Sequence, residues 1–184
     1  MTSEMKEQPL VTFALFAYNQ ERFIREAVEA ALAQTYSPLE VILSDDCSSD
    51  RTFEIISECA QRYSGPHKVI LNRNAKNIGI AAHVNHLVDL AQGTFIVGGA
   101  GDDVSYPDRV ESTVSAFVSD AEVMSVFSAL QTISESGQLL EIRQFRNETC
   151  RANLDVAVKT WCQDLQGASH AWRKTVFEVF GPLD

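Results

Sequence analysis

An α/β fold with a mainly parallel sheet is predicted by three observations. Short β-rich runs alternate with segments of helical periodicity, in the order β-α-β-α-β-α-β-α, up to about residue 120. Two of these runs end on adjacent aspartates: Leu39-Glu40-Val41-Ile42-Leu43-Ser44-Asp45-Asp46, and Thr94-Phe95-Ile96-Val97 followed by Gly98-Gly99-Ala100-Gly101-Asp102-Asp103. The 184 residues, 45% of them hydrophobic, suffice for one domain with a sizeable core.

Residues 1–8 are polar and are expected to form a disordered tail, leaving a single domain over 9–184. Leu10 to Ala17 reads as a buried strand. Asn19 is expected to cap the next helix, with Glu21 in its first turn and Phe23, Ala27, Ala30 and Ala31 on its inner face. Pro38 leads into the second strand. Asp50 is the expected N-cap of a helix whose apolar face is Ile55, Ile56, Cys59 and Ala60. Lys68 to Leu71 is a short third strand. Ile80, Val84, Leu87, Val88 and Ala91 recur at helical spacing. After the fourth strand, Pro107 suits a helix start, with Val110, Val114 and Phe117 facing inward. Beyond about residue 120 the pattern changes. Val123 to Leu130 reads as a strand, Glu135-Ser136-Gly137-Gln138 as a turn and Leu139 to Ile142 as the return of a hairpin. A loop and a short helix are expected over 144–166. Gly167 to Trp172 fits strand or loop, and Thr175 to Phe180 a helix stopped by Gly181-Pro182.

A net charge of −10 argues against a broad basic surface for nucleic acid. Cys47, Cys59, Cys150 and Cys162 form no C-x-x-C pair, so neither a zinc ribbon nor a thioredoxin motif is signalled. With no signal peptide and no apolar stretch long enough to span a bilayer, the expected setting is cytoplasmic, and the Asn147-Glu148-Thr149 sequon is then incidental.

In open α/β sheets ligands bind beyond the carboxyl ends of the strands, so both aspartate pairs are expected on the functional edge. Clustered carboxylates repel, and a divalent cation relieves the repulsion. Each pair alone also fits a helix cap or a solvated turn. A receiver-type phosphoacceptor would carry its acidic pair after the first strand, and a nucleotidyltransferase would want a Gly-rich loop where Ala17-Tyr18-Asn19-Gln20 stands.

A set of co-linear motifs resembles glycosyltransferase family 2. It comprises Tyr18-Asn19-Gln20-Glu21-Arg22-Phe23-Ile24, Gln34-Thr35-Tyr36, and Glu40-Val41-Ile42 with Asp45-Asp46-Cys47-Ser48-Ser49-Asp50-Arg51-Thr52. Asn77-Ile78-Gly79-Ile80-Ala81 followed by Asn85, and Gly101-Asp102-Asp103 followed by Pro107-Asp108-Arg109-Val110, complete it. The resemblance implies the GT-A fold, a Rossmann-like three-layer α/β/α sandwich. Its nucleotide-binding half would cover about 9–120, and 121–184 would be part of an acceptor half. It implies inverting transfer of a sugar from a nucleotide donor, such as a UDP-sugar, to a sugar or lipid-linked acceptor, in bacterial surface polysaccharide or lipopolysaccharide assembly. A location at the inner face of the membrane fits that role. The same resemblance implies that Ala17 and Tyr18 border the base and that Asp46 hydrogen-bonds it. It further implies that Asp45 shapes the pocket, that Asp102 lies near the ribose and diphosphate, and that Asp103 ligates Mg²⁺ or Mn²⁺. Ser169 and His170 would fall on the acceptor side.

Three departures qualify the resemblance. Ala100 stands at the first Asp of the D-x-D-D metal motif. Val84 stands where many members carry Arg, leaving Arg73 or Lys76 to approach the diphosphate. The catalytic base, an Asp expected beyond Gly181-Pro182-Leu183-Asp184, is not reached, so a fragment is expected, with nucleotide-sugar binding without transfer as the alternative reading. Among remaining candidates, His83 and His86 sit three apart on a helix, a weak zinc signal. Trp161 and Trp172 suit either sugar stacking or the core, and Cys47 a small filler beside the pocket.

Overall fold

Burial along the first strand sets the layers. β1 (Val11–Ala17) sends Val11, Phe13, Leu15 and Ala17 into one core and Ala14 into another. The first core is closed by α1 (Ile24–Leu32), α2 (Thr52–Arg62) and α4 (Arg109–Ser119), through Ile24, Val28, Ile56, Val110 and Phe117. The second is closed by α3 (Ile80–Leu90), through Val84, Leu87 and Val88. This is the period-two alternation of a strand buried on both sides, with helices on each face. The computed structural model describes residues 8–134, 137–143 and 169–183. The expected tail short of residue 8, Glu135-Ser136, the loop and helix over 144–166, Trp161, Gly167 and Asp184 lie outside the described residues.

Six strands form the main sheet in the order β3 (Lys68–Arg73), β2 (Leu39–Asp45), β1, β4 (Phe95–Ala100), β8 (His170–Arg173) and β5 (Ser125–Phe127). The parallel part comprises β1, β2, β3 and β4. From β1 the chain winds outward through β2 and β3, then returns to place β4 on the other flank of β1. The strand order therefore reverses between β1 and β4, the point where open α/β sheets form a crevice. Register aligns the carboxyl ends, with Ala17 opposite Asp45 and Phe16 opposite Ala100. The ladder continues past the strands, through Asp46 N–H to the Ala17 carbonyl at 2.9 Å and Gly101 N–H to the Phe16 carbonyl at 3.0 Å.

Three expectations are corrected. The segment Val123 to Leu130 is not one strand: β5 (Ser125–Phe127) joins the main sheet, and β6 (Leu130–Ile133) leaves it to pair with β7 (Leu139–Arg143) as the expected hairpin. Asn19 does not cap α1. It sits at φ 53°, in the left-handed region that Asn tolerates, and its side-chain oxygen accepts from Ser49 N–H at 2.9 Å. Asp50 stands one residue before the N-cap of α2, which is Arg51, and its Oδ1 accepts from the N–H of Thr52, the first helical residue, at 2.9 Å. The undecided stretch before Trp172 becomes β8 (His170–Arg173), inserted antiparallel between β4 and β5, and α5 (Thr175–Phe180) follows.

Candidate functional site

Loops after β1, β2 and β4 meet at the switch point. The β2 loop is held internally. Asp45 is fully buried; its carboxylate accepts from the Ser48 N–H at 2.9 Å and from the Ser48 hydroxyl, and pairs with Arg73 Nε at 3.3 Å. Ser48 Oγ in turn accepts from Asn19 N–H at 2.8 Å, which ties the β2 loop to the β1 loop. Glu21 and Asp50 add a reciprocal pair, each carboxylate taking the other segment's backbone N–H at 3.0 Å. Asp45 does not line the cavity described below. Arg73, expected as a diphosphate contact, is occupied by Asp45 and the Ser48 carbonyl and lies over the Phe53 ring. Lys76 is exposed.

Asp46 is 3% exposed and faces the loop before α3. It accepts from Asn74 Nδ2 at 2.8 Å, from Ile78 N–H at 3.0 Å and from Gly79 N–H at 3.0 Å. Burial raises its carboxyl pKa, but the N–H groups of Asn74, Ile78 and Gly79 together outweigh burial and hold it below the usual range. Gly79 at φ 82° begins the α3 turn, a conformation that L side chains rarely adopt.

The third loop is set by close packing. A Cβ on Gly101 would fall 2.8 Å from the Ala17 Cβ and 2.8 Å from the Ile24 Cδ1, so only glycine lets β4 turn against β1 here. Asp102 is exposed and Asp103 half-buried. Burial raises the Asp103 carboxyl, the Asp102 charge adds to the rise, and Arg109 opposes it. Arg109 donates to the Gly98 carbonyl at 2.7 Å and to Ser105 Oγ at 2.9 Å; burial pushes its pKa down to about 10, leaving it charged at neutral pH. Gln34 anchors the far end of the loop, donating to the Tyr106 carbonyl at 2.8 Å and accepting from Val110 N–H at 3.1 Å.

Between these loops lies a cavity of about 280 Å³, lined by Phe16, Ala17, Tyr18, Gln20, Asp46, Asn77, Gly79, Ile80, His83 and Ala100. A larger concavity of about 340 Å³ lies against α1 and α2, away from the strand ends, among Arg25, Cys59, Arg62 and Tyr63. The first lies at the switch point and holds an aspartate; the second carries neither feature. Tyr18, 47% exposed, stands at the rim with Ile80. Ala17, Tyr18 and Asp46 thus share one cavity. Asp102 and Asp103 follow Ala100 on the same edge, outside the lining. His83, weighed in the sequence only as a zinc ligand, is 2% exposed and sits in the wall. Its Nε2 lies 2.6 Å from Ser44 Oγ. Val84, at the arginine position, is turned into the core.

On the expected acceptor side, His170 Nε2 lies 2.6 Å from Ser125 Oγ, and the ring stacks on Phe127 at a centroid distance of 3.9 Å and meets Trp172 at a 45° tilt and 4.2 Å. Burial pushes its pKa down to about 3, so it is neutral. Ser169 is buried, with its carbonyl accepting from Ser128 N–H at 3.1 Å. Trp172 packs in the second core, as does Phe177. Asn85 clamps Leu183 by two bonds of 2.8 Å. Among the described residues, no group of three or more His, Cys, Asp or Glu is placed to hold a metal ion, and no helix is long and apolar enough to cross a membrane.

Comparison with known proteins gives these features a family. Residues 12–180 match the family model described as glycosyl transferase family 2. The chain is 35% identical over 133 residues to the putative glycosyltransferase EpsE of Bacillus subtilis, which covers 72% of this chain and 47% of that protein. It is 33% identical over 139 residues to the chondroitin synthase of Escherichia coli, covering 76% of this chain and 20% of that one. The chain thus spans half or less of these curated relatives. Among solved structures, the mannosyltransferase PcManGT from Pyrobaculum calidifontis, in complex with GDP-Man and Mn²⁺, superposes with a TM-score of 0.71 at 18% identity, covering 96% of this chain and 48% of that one. S. aureus TarS in complex with UDP-GlcNAc gives 0.67 at 16% identity, covering 92% and 47%. These two share the GT-A glycosyltransferase fold predicted from the motifs. With the matched model running through nearly all of the sheet and its loops, the chain belongs to glycosyl transferase family 2.

Proposed function

We propose that this chain is the donor-binding part of an enzyme that moves a glycosyl group, with inversion, from a nucleotide-diphosphate sugar to an acceptor hydroxyl. Bacterial surface polysaccharide or lipopolysaccharide synthesis, on the cytoplasmic side of the membrane, belongs to the same reading; relatives named as polysaccharide synthases support it. One observation carries the proposal: a cavity at the β1/β4 switch point, with Asp46 in its wall and Asp102-Asp103 on the same edge. In this reading the nucleobase enters the cavity beside Tyr18, whose ring stacks on it, with Ala17 as the floor beneath. Asp46 offers its remaining acceptor capacity to the base. Asp45 acts at one remove, holding the Ser48 loop in place. Asp102 faces the ribose and diphosphate. Ser169 and His170 border the acceptor; with His170 Nε2 beside Ser125, that imidazole shapes the wall and does not move protons.

The described residues fit a divalent cation. Mg²⁺ and similar ions are commonly held by one or two carboxylates together with substrate phosphates and water, so a missing third carboxylate at Ala100 is no obstacle. Asp103, its carboxyl raised by burial and by Asp102, is the group such an ion would stabilise in charged form. When bound, Mg²⁺ or Mn²⁺ would supply charge stabilisation to the departing diphosphate. Arg109, buried and charged beneath the loop, holds the Asp102-Asp103 segment against β4 by its bond to the Gly98 carbonyl.

The test is calorimetric titration of the protein with UDP, with and without Mn²⁺, beside an assay for donor hydrolysis. Metal-enhanced binding that disappears in Asp103→Ala is expected. Equal binding with and without Mn²⁺ by the unaltered protein, or an Asp103→Ala variant that keeps the full enhancement, refutes the metal role. No binding of any nucleotide refutes the donor site itself.

A further inference from the structure

The far end of the acidic loop is clamped by two consecutive residues that follow α1. Gln34 donates to the Tyr106 carbonyl at 2.8 Å and accepts from Val110 N–H at 3.1 Å. Thr35 donates its N–H to the Pro107 carbonyl at 2.9 Å. The peptide unit that joins Gln34 to Thr35 therefore carries one of these bonds itself, on its N–H. Its other end, the Gln34 carbonyl, lies past the C-cap Ala33 and outside the helix ladder. That carbonyl faces His67 Nε2 at 2.8 Å, in a buried contact.

The chemistry of this contact fixes the imidazole. A carbonyl oxygen can only accept, so the proton of the neutral ring stands on Nε2. Nδ1 is buried, without a hydrogen-bond partner among the described residues, and is left as a bare acceptor. Moving the proton to Nδ1 would create a buried unpaired donor there and turn the Nε2 lone pair against the carbonyl. His67 is itself held in place. It is 8% exposed, its ring stacks on Tyr63 with centroids 6.0 Å apart, and its N–H donates to the Tyr63 phenol oxygen at 3.2 Å. Because a peptide unit is planar, its carbonyl and its N–H turn together. The His67 grip on the Gln34 carbonyl thus sets the direction in which Thr35 N–H meets Pro107.

We infer that His67 is a positioning residue for the Asp102-Asp103 loop, acting through the Gln34–Thr35 peptide. The inference rests on the metal role given to Asp103 above and deepens it. Without the His67 donor, the Gln34 carbonyl is buried and unpaired, and relief comes from turning that peptide toward water. The turn pulls Thr35 N–H off Pro107 and shifts the Gln34 side chain from Tyr106 and Val110, which frees the segment carrying both aspartates. The loops that border the cavity hang on a separate set of bonds, among Asn19, Asp45, Ser48 and Ser49. Loss of His67 should therefore reach the metal loop and spare the cavity.

Calorimetry of UDP binding over a series of Mn²⁺ concentrations tests this. His67→Leu should need about three- to tenfold more Mn²⁺ for half of the metal-dependent gain, the effect of one lost buried hydrogen bond. His67→Asn, polar but too short to reach the carbonyl, should behave alike, whereas His67→Gln, whose Nε2 can replace the imidazole Nε2, should stay within about twofold of the unaltered protein. Amide exchange in His67→Leu should quicken at Thr35 and Val110 and not at Asn19 and Ser48. Nitrogen-detected NMR on the unaltered protein is independent of any variant's folding and should find the His67 proton on Nε2. A proton on Nδ1, folded Leu and Asn variants with the Mn²⁺ requirement unchanged, or exchange that quickens equally at all four amides each overturns the inference while leaving the metal role of Asp103 standing. UDP binding by the unaltered protein that ignores Mn²⁺ overturns both, and shows before any variant is made.

Discussion

Gly101→Ala probes the close approach on which the whole edge depends. The added Cβ would lie 2.4 Å from Gln20 Oε1, 2.8 Å from the Ala17 Cβ and 2.8 Å from the Ile24 Cδ1. The first contact is with the end of a flexible side chain and yields at small cost. The other two cannot yield in the same way. Ala17 ends β1, paired with Asp45, and Ile24 is fully buried in the first core. Relief must come from moving the β4 loop, which stretches the 3.0 Å bond from Gly101 N–H to the Phe16 carbonyl. Overpacking of this kind costs about 1–3 kcal/mol. For a domain of this size that corresponds to a fall in Tm of roughly 2–12 °C. The same displacement moves Asp102 and Asp103, so the Mn²⁺-dependent part of nucleotide binding should weaken with Tm. Differential scanning calorimetry and nucleotide titration on one preparation measure both. Gly98→Ala is the control, because its Cβ would meet Trp172 at 3.2 Å, a far milder contact at the same strand end. A Gly101→Ala protein with unchanged Tm and unchanged binding would show that the loop is not positioned by this packing.

Gln34→Leu should destabilise by about 1–3 kcal/mol, because it strips the buried Val110 N–H of its side-chain acceptor and leaves the Tyr106 carbonyl with the Arg109 N–H alone; denaturant midpoints measure this, and an unchanged midpoint would contradict it. Asp46→Ala should destabilise the loop before α3 and raise amide exchange at Ile78, whose N–H loses its acceptor, more than at Gly79, whose N–H keeps Asn77 Oδ1; unaltered exchange at Ile78 would refute the role. The pH dependence follows from the lowered carboxyl pKa of Asp46: its contribution is complete above the unfolded carboxylate value, near 4, and is lost as pH falls through the lower folded value. Comparing Asp46→Ala with the unaltered protein, the stability gap should therefore be full at neutral pH and narrow only in strong acid, and a gap that narrows above about pH 5 would count against this assignment.

Local pattern carried much of this architecture. The parallel strands and the helices between them announced themselves by period and by burial on both faces, because a side chain's facing is set by its neighbours in sequence. The placement of both aspartate pairs at strand ends was equally legible. What each carboxylate does there was not. Asp45 and Asp46 follow one another in sequence, yet Asp45 is consumed by Ser48 and Arg73 while Asp46 faces a cavity, since strand pairing sends successive side chains to opposite sides. Asn19 reads as a helix cap and instead takes a left-handed conformation, because its partner, Ser49, arrives from another loop. The stretch His170–Arg173 was ambiguous alone; pairing with both β4 and β5 makes it a strand. His83 stood in the sequence only as a weak zinc signal with His86, and its place beside Ser44 in the cavity wall came from packing α3 on the sheet.

By itself the amino-acid sequence determined the class of fold, the family and the two acidic turns, since periodicity and short motifs are properties of adjacent residues. The tertiary structure alone decided that Asp46 and His83 line the cavity while Asp45 is consumed within its own loop. Hydrogen-bond saturation depends on donors that only long-range strand pairing and helix packing bring within reach.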